Sequence, residues 1–185
     1  DLIVLNGLFL EESFLEIAKV SKQPQSVILP LGDLSIDTEE WEYDLTFPQD
    51  KGRPNPHLWT NPIIALKYAD LIRHELTTLD SKNIDYYEEN YQQFRERILE
   101  LDSKIKTAFS TVPEKNRKLL TYHDSFPYFG ERYGIEIIGA IQPSDYSNPS
   151  AREIAYLIDL LRELKLPAIF GSYLFPTEVV QRVAS

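Results

Sequence analysis

The sequence predicts an α/β protein with parallel sheets, and two observations carry that reading. After Pro113, short apolar runs alternate with segments of helical period, the pattern of parallel strands with helices layered on them. Between residues 86 and 108, Tyr87, Tyr91, Phe94, Ile98, Leu101 and Ile105 form one apolar stripe at alternating spacings of four and three. At about 1.5 Å per residue that helix is roughly 35 Å long, enough to serve as a rigid spacer between lobes.

The elements follow in order. Residues 2–5 are a short apolar run ended by Asn6-Gly7, which reads as a buried strand entering a turn. Residues 11–20 carry Phe14, Leu15 and Ala18 at helical spacing, and residues 26–29 read as a second strand. The acidic stretch from Gly32 to Pro56, with Trp41, Tyr43, Pro48, Gly52 and Pro54, has no sustained period and is expected to be a long loop. Loops of that length are more often functional than decorative. A helix is expected from Asn61-Pro62, since proline suits the first helical position, with Ile63, Leu66, Ala69, Ile72, Leu76 and Leu79 on one face. After the long helix, residues 118–122 form a strand, His123-Asp124-Ser125 follow, and a helix runs through Phe129 to Tyr133. Residues 135–141 are another strand closed by Pro143. Ser150 and Glu153 fit a capping box for a helix with Ala155, Leu157, Ile158, Leu161 and Leu164 on its apolar face. Residues 168–170 are a last strand, and residues 177–184 begin another helix.

Composition narrows the function. The chain of 185 residues is 43% hydrophobic and 26% charged, an ordinary globular balance, with no apolar run of the kind that spans a membrane. A formal charge of -10 repels a phosphate backbone, so no nucleic-acid partner is expected, whereas a cation is attracted. The absence of cysteine removes disulfides, thiolate metal sites and cysteine nucleophiles. The chain lacks methionine and opens directly on an apolar strand, so residues upstream are expected, and the missing leader says nothing of secretion.

Two of the 3 histidines stand in loaded contexts. His57 lies in Pro54-Asn55-Pro56-His57-Leu58-Trp59-Thr60-Asn61-Pro62, where prolines on both sides stiffen the backbone just ahead of a helix. His123 ends the strand Leu119-Leu120-Thr121-Tyr122, at the carboxyl edge where ligand sites of open α/β sheets collect. Two neutral imidazoles suit a borderline divalent metal such as zinc, manganese or iron. Either histidine taken alone is also explained as an ordinary loop or capping residue. His74, beside Arg73 and Glu75, reads as part of a solvated helix face. Ser125, Asp124 and His123 are adjacent in sequence, which does not make a triad, and there is neither a G-x-S-x-G elbow nor a Gly-rich phosphate loop. No enzyme activity is therefore expected.

Four segments in order resemble the zinc- and manganese-type solute-binding proteins of ABC importers, the family of the adhesin-like lipoprotein receptor antigens. Leu2-Ile3-Val4-Leu5-Asn6-Gly7-Leu8-Phe9-Leu10-Glu11 is similar to the family's strand ending in Asn-Gly with a following acid. Asn55-Pro56-His57-Leu58-Trp59 resembles its Asp-Pro-His-x-Trp signature. Thr121-Tyr122-His123-Asp124-Ser125-Phe126-Pro127-Tyr128-Phe129, with Tyr133-Gly134 downstream, resembles its Tyr-His-Asp-Ala-Phe segment. Pro149-Ser150-Ala151-Arg152-Glu153-Ile154 is similar to a helix start after the third loop.

The resemblance implies two parallel-sheet lobes joined by a long rigid helix, with the chain incomplete at both ends relative to the family. The corresponding division is residues 1–84, a linking helix over 85–111, and residues 112–185. It further implies a divalent transition metal (manganese, zinc or iron) held between the lobes by His57 and His123, with Asp124 as outer support. The implied protein is periplasmic or a cell-surface lipoprotein, delivering its metal to the membrane permease of an ABC importer. This sequence departs from the family where a third ligand, a glutamate or histidine, is expected after residues 168–170. Gly171-Ser172-Tyr173-Leu174-Phe175 stands there, with Tyr173 or Ser172 in place of the acid and Tyr173 the candidate third-ligand position, and a fourth ligand, if there is one, falls beyond Ser185. That departure keeps a degenerate or non-transport relative open as an alternative, and a metal-dependent hydrolase as a more distant one. The loop before His57 is free of histidine, which favours manganese or iron, whereas the shortage of carboxylates favours zinc.

Overall fold

The computed structural model describes residues 1–44, 47–142, 150–166, 170 and 181. Strand β1 (Leu2–Leu5) pairs in parallel with β2 (Val27–Pro30), Leu2 opposite Val27 and Leu5 opposite Pro30. The crossover between them is helix α1 (Glu12–Ser21), as the expected strand–helix–strand order requires. Burial differs from expectation, because Val4 is 42% exposed and no residue of α1 is buried. Apolar Phe14, Ile17 and Val20 of α1 are all exposed. Periodicity places side chains on one face of an element, but it does not name what covers that face.

The stretch expected to be featureless is partly ordered. Helix α2 (Leu31–Ser35) follows β2 directly, short 3-10 turns occupy Thr38–Glu40 and Gln49–Lys51, and another lies just beyond the stretch at Leu58–Thr60. The first of these has a local cause, a capping box between Asp37 and Glu40. Three or four residues are too few to show a period, so these turns were invisible to a periodicity reading.

Helix α3 (Pro62–Leu79) starts as expected, with Pro62 at its first position and Asn61 Oδ1 accepting the Ile63 N–H at 3.0 Å. Its deeply buried apolar side chains are Ile64 and Tyr68, beside the expected stripe rather than on it. They join Leu8, Leu29, Leu31, Ile36, Leu58 and Tyr128 in one core.

Helix α4 (Ile84–Ser110) is longer than the expected span, at 27 residues or roughly 40 Å. It packs along α3, where Arg73 reaches Glu88 at 3.3 Å and lies 5.2 Å over the Tyr91 ring. The apolar stripe holds at Tyr87, Tyr91, Phe94, Ile98 and Ile105, all half-buried, but fails at Leu101, which is 45% exposed. Its neighbour Asp102 takes the inward place and is only 6% exposed.

The second half repeats the strand–helix–strand unit. Strand β3 (Lys118–His123), helix α5 (Pro127–Tyr133) and strand β4 (Glu136–Gln142) are all where the sequence predicts them. The strands run parallel, with one extra residue on β4 between the pairs Leu119–Ile137 and Leu120–Gly139. Phe170 bridges Thr121 in parallel on the other side, agreeing with a strand at residues 168–170, whose other members lie outside the described residues. Helix α6 (Ala151–Leu164) contributes Leu157 to a second core with Leu120, Tyr122 and Ile141. The helix expected at residues 177–184 lies outside the described residues except for helical Gln181.

Asp102 explains how α4 is fastened to this half. Its carboxylate accepts Arg132 Nε and Nη2 at 2.6 and 2.7 Å and the Tyr133 hydroxyl at 2.8 Å. Those bonds, Arg132 above all, hold the Asp102 carboxyl well below the usual carboxylate range. An aspartate sits on an apolar stripe because its bonding capacity is met there.

Candidate metal centre

The turn Asn6-Gly7 anchors the first ligand segment. The Glu11 carboxylate accepts the N–H groups of Asn6 (2.8 Å) and Gly7 (3.0 Å), and Asp33 accepts that of Leu8 (3.0 Å). Gly7 has φ +81°, and a side chain there would run into the Asp33 carboxylate, so the position requires glycine. Thus fixed, Asn6 donates through Nδ2 to the Pro56 carbonyl at 3.0 Å, directly ahead of His57. Beyond His57, Leu58 is fully buried and Thr60 Oγ1 donates to the His57 carbonyl at 2.8 Å. The histidine is therefore held from both sides.

His123 is the last residue of β3, and the Thr121 hydroxyl donates to its carbonyl at 2.8 Å. The fold brings the two rings together across 66 residues of sequence, with Nε2 to Nε2 at 3.3 Å and ring centroids 5.0 Å apart at 78°. Two nitrogen lone pairs at that separation repel unless a proton or a cation lies against both. Two imidazoles bound to one tetrahedral metal at about 2.0–2.1 Å place their nitrogens about 3.3 Å apart. Asp124, expected as outer support, is 4% exposed, and its backbone carbonyl accepts Asn55 Nδ2 at 3.3 Å.

Burial pushes the His57 imidazole down to about 4, the nearby His123 adds to that, and Asp44 opposes it. A ring so shifted is neutral at physiological pH, which is the form that binds a metal. Trp59 tilts against it at a centroid distance of 5.0 Å, and Phe47 meets it edge-on at 6.5 Å. Glu42, whose carbonyl accepts the Asn55 N–H at 2.9 Å, is raised by burial first and then by the neighbouring Glu131 and Asp44.

The remaining expectations divide simply. His74 is exposed on α3, away from this pair. Tyr173, the third-ligand position, lies outside the described residues. Among the described residues no group of three or more histidine, cysteine, aspartate or glutamate side chains is poised to hold a metal, so they contribute a two-histidine face. Sequence reasoning missed Asn55, which is fully buried and bonded to His57, Asp44 and Asp124. A polar residue caged between Pro54 and Pro56 was the available signal.

Comparison with known proteins identifies the family. The family model described as zinc-uptake complex component A, periplasmic, matches residues 1–185. The iron-binding protein YfeA of Yersinia pestis is 29% identical over 171 residues, covering 92% of this chain and 53% of its own. The zinc-binding protein TroA of Treponema pallidum is 27% identical over 186 residues, covering 98% of this chain and 56% of its own. The solved structure of periplasmic TroA superposes with a TM-score of 0.82 at 25% identity, over 99% of this chain and 64% of that one. A periplasmic metal-binding protein from Candidatus Liberibacter asiaticus gives 0.80 at 26% identity, over 100% and 65%. The chain spans about half the length of the curated relatives it matches.

Proposed function

The chain belongs to the family of the periplasmic zinc-uptake complex component A, and on that premise we propose that it is the metal-capturing part of a solute receptor for an ABC importer. The observation that carries the proposal is the 3.3 Å approach of His57 Nε2 and His123 Nε2, the spacing of two ligands on one divalent ion. His57 comes from the turn entering α3 and His123 from the end of β3, so the metal would join the two halves of the chain. Relatives named for iron, manganese and zinc bracket the cargo as a divalent transition metal. A pair of imidazoles suits all three ions, and further ligands set the choice among them. The formal charge of -10 attracts a cation, and the permease and ATPase of an importer are the partners this role requires. The family is one of transport receptors rather than enzymes, and capture and delivery need no bond to be made or broken. The place of work is outside the cytoplasmic membrane, as the periplasmic and lipoprotein relatives indicate. Among the described residues no helix is long and apolar enough to cross a membrane.

Calorimetric titration of chelator-stripped protein with zinc and with manganese tests the proposal. One-to-one binding that is lost in His57→Ala and in His123→Ala is expected. Equal binding by both variants would remove these residues from the site, and no binding by the parent chain would remove the function.

A further inference from the structure

We infer that Asn55 is a positioning residue that holds His57 in its Nδ1–H form, so that Nε2 presents a bare lone pair to the metal. The inference uses the receptor reading only for what Nε2 then binds, because the tautomer is fixed by bonds on the far side of the ring. The two ends of an amide are told apart by their partners. Asn55 Nδ2 lies 2.7 Å from an Asp44 carboxylate oxygen and 3.3 Å from the Asp124 carbonyl, both acceptors, so this end must be the NH2 group. The other end is therefore the oxygen, which takes the His57 backbone N–H at 3.0 Å and lies 2.7 Å from His57 Nδ1. An amide oxygen carries no hydrogen, so the proton between them belongs to Nδ1. A metal-binding histidine needs this arrangement, in which the second nitrogen donates to a fixed acceptor and the ring is aimed and made more basic.

Asn55 also joins the two ligand segments. It is fully buried, and through the Asp124 carbonyl it ties the loop before α3 to the residue after His123. One side chain thus sets the proton on one ring and the distance to the other.

The test reads the tautomer directly, by 15N chemical shifts of the histidine rings in chelator-stripped protein at pH 8, and zinc affinity separately. His57 in the parent protein is expected to show a protonated Nδ1 and a bare Nε2. Asn55→Ala is expected to move the proton to Nε2 and to weaken zinc binding by about 10- to 100-fold, the usual effect of losing an outer partner. Should that variant fail to fold, the exchange Asp44→Asn with Asn55→Asp keeps an amide–carboxylate pair and an acceptor at Nδ1. It is expected to retain the Nδ1–H form, and a shift to Nε2–H in it would overturn the inference. A parent protein with His57 protonated on Nε2, or Asn55→Ala with the tautomer unchanged, would overturn it as well. The expected tautomers with no zinc bound by the parent would support Asn55 and defeat only the receptor reading.

Discussion

At the scale of single residues, the depressed pKa of His57 has a consequence for stability. The folded form resists protonation down to about 4, whereas the unfolded side chain takes up its proton near 6.5. Between those values the unfolded state binds more protons, so stability present above pH 6.5 is lost as pH falls toward 4. Asp102 works in a lower window, because its carboxyl is depressed by Arg132 and its contribution is lost only below the ordinary aspartate range. Denaturant midpoints from pH 8 to pH 3 should therefore fall first across the histidine window, and His57→Gln should flatten that part alone. An unchanged curve in the variant would show that His57 is not the group responsible. Of these residues, His57 and His123 were legible in the sequence through their context. Asn55 carried only the hint of its flanking prolines, since its importance comes from bonds to His57, Asp44 and Asp124, and the last lies 69 residues away.

At the scale of elements, periodicity located every helix of ten residues or more among the described residues, and its errors are instructive. The α4 stripe was read through Leu101 because leucine is apolar and its neighbour is an acid. The fold chose Asp102, which pairs with Lys106 one turn on but whose closer partners Arg132 and Tyr133 lie on α5 and cannot be seen from α4. Asp102→Ala leaves the partly exposed Arg132 charge without its bidentate acceptor and should cost about 1–3 kcal/mol in chemical denaturation. Leu101→Lys, a change on the exposed side, should stay within about 0.5 kcal/mol. Equal losses in the two variants would restore the original stripe. The acidic segment shows the opposite limit, since its turns are set by caps and chain ends rather than by repetition. Likewise the exposed side of α1 reveals that an apolar pattern can be read correctly while its burial cannot.

At the scale of the molecule, the halves are joined by more than the histidines. Tyr128 of α5 is 1% exposed in the core built by the first half, and its hydroxyl accepts the Glu42 N–H at 3.3 Å. Tyr128→Phe keeps the ring and should cost about 1 kcal/mol, whereas Tyr128→Ala leaves a cavity worth about 3–5 kcal/mol. The alanine variant should also broaden the thermal transition if the halves then unfold separately, and a sharp, unshifted transition would show that Tyr128 does not couple them. Both α/β units and the long helix were foreseeable from local patterns, but this joint was not, because it pairs residues 86 positions apart. Helix α4 is also placed like a lever. It is braced against α3, which begins just after His57, and against α5, which begins just after His123. Over a rod of roughly 40 Å, a tilt of about two degrees displaces the far end by about 1.4 Å. A displacement of that size is close to half of the 3.3 Å between the two imidazole nitrogens, so the spacing of the pair depends on how straight α4 stands between its two supports.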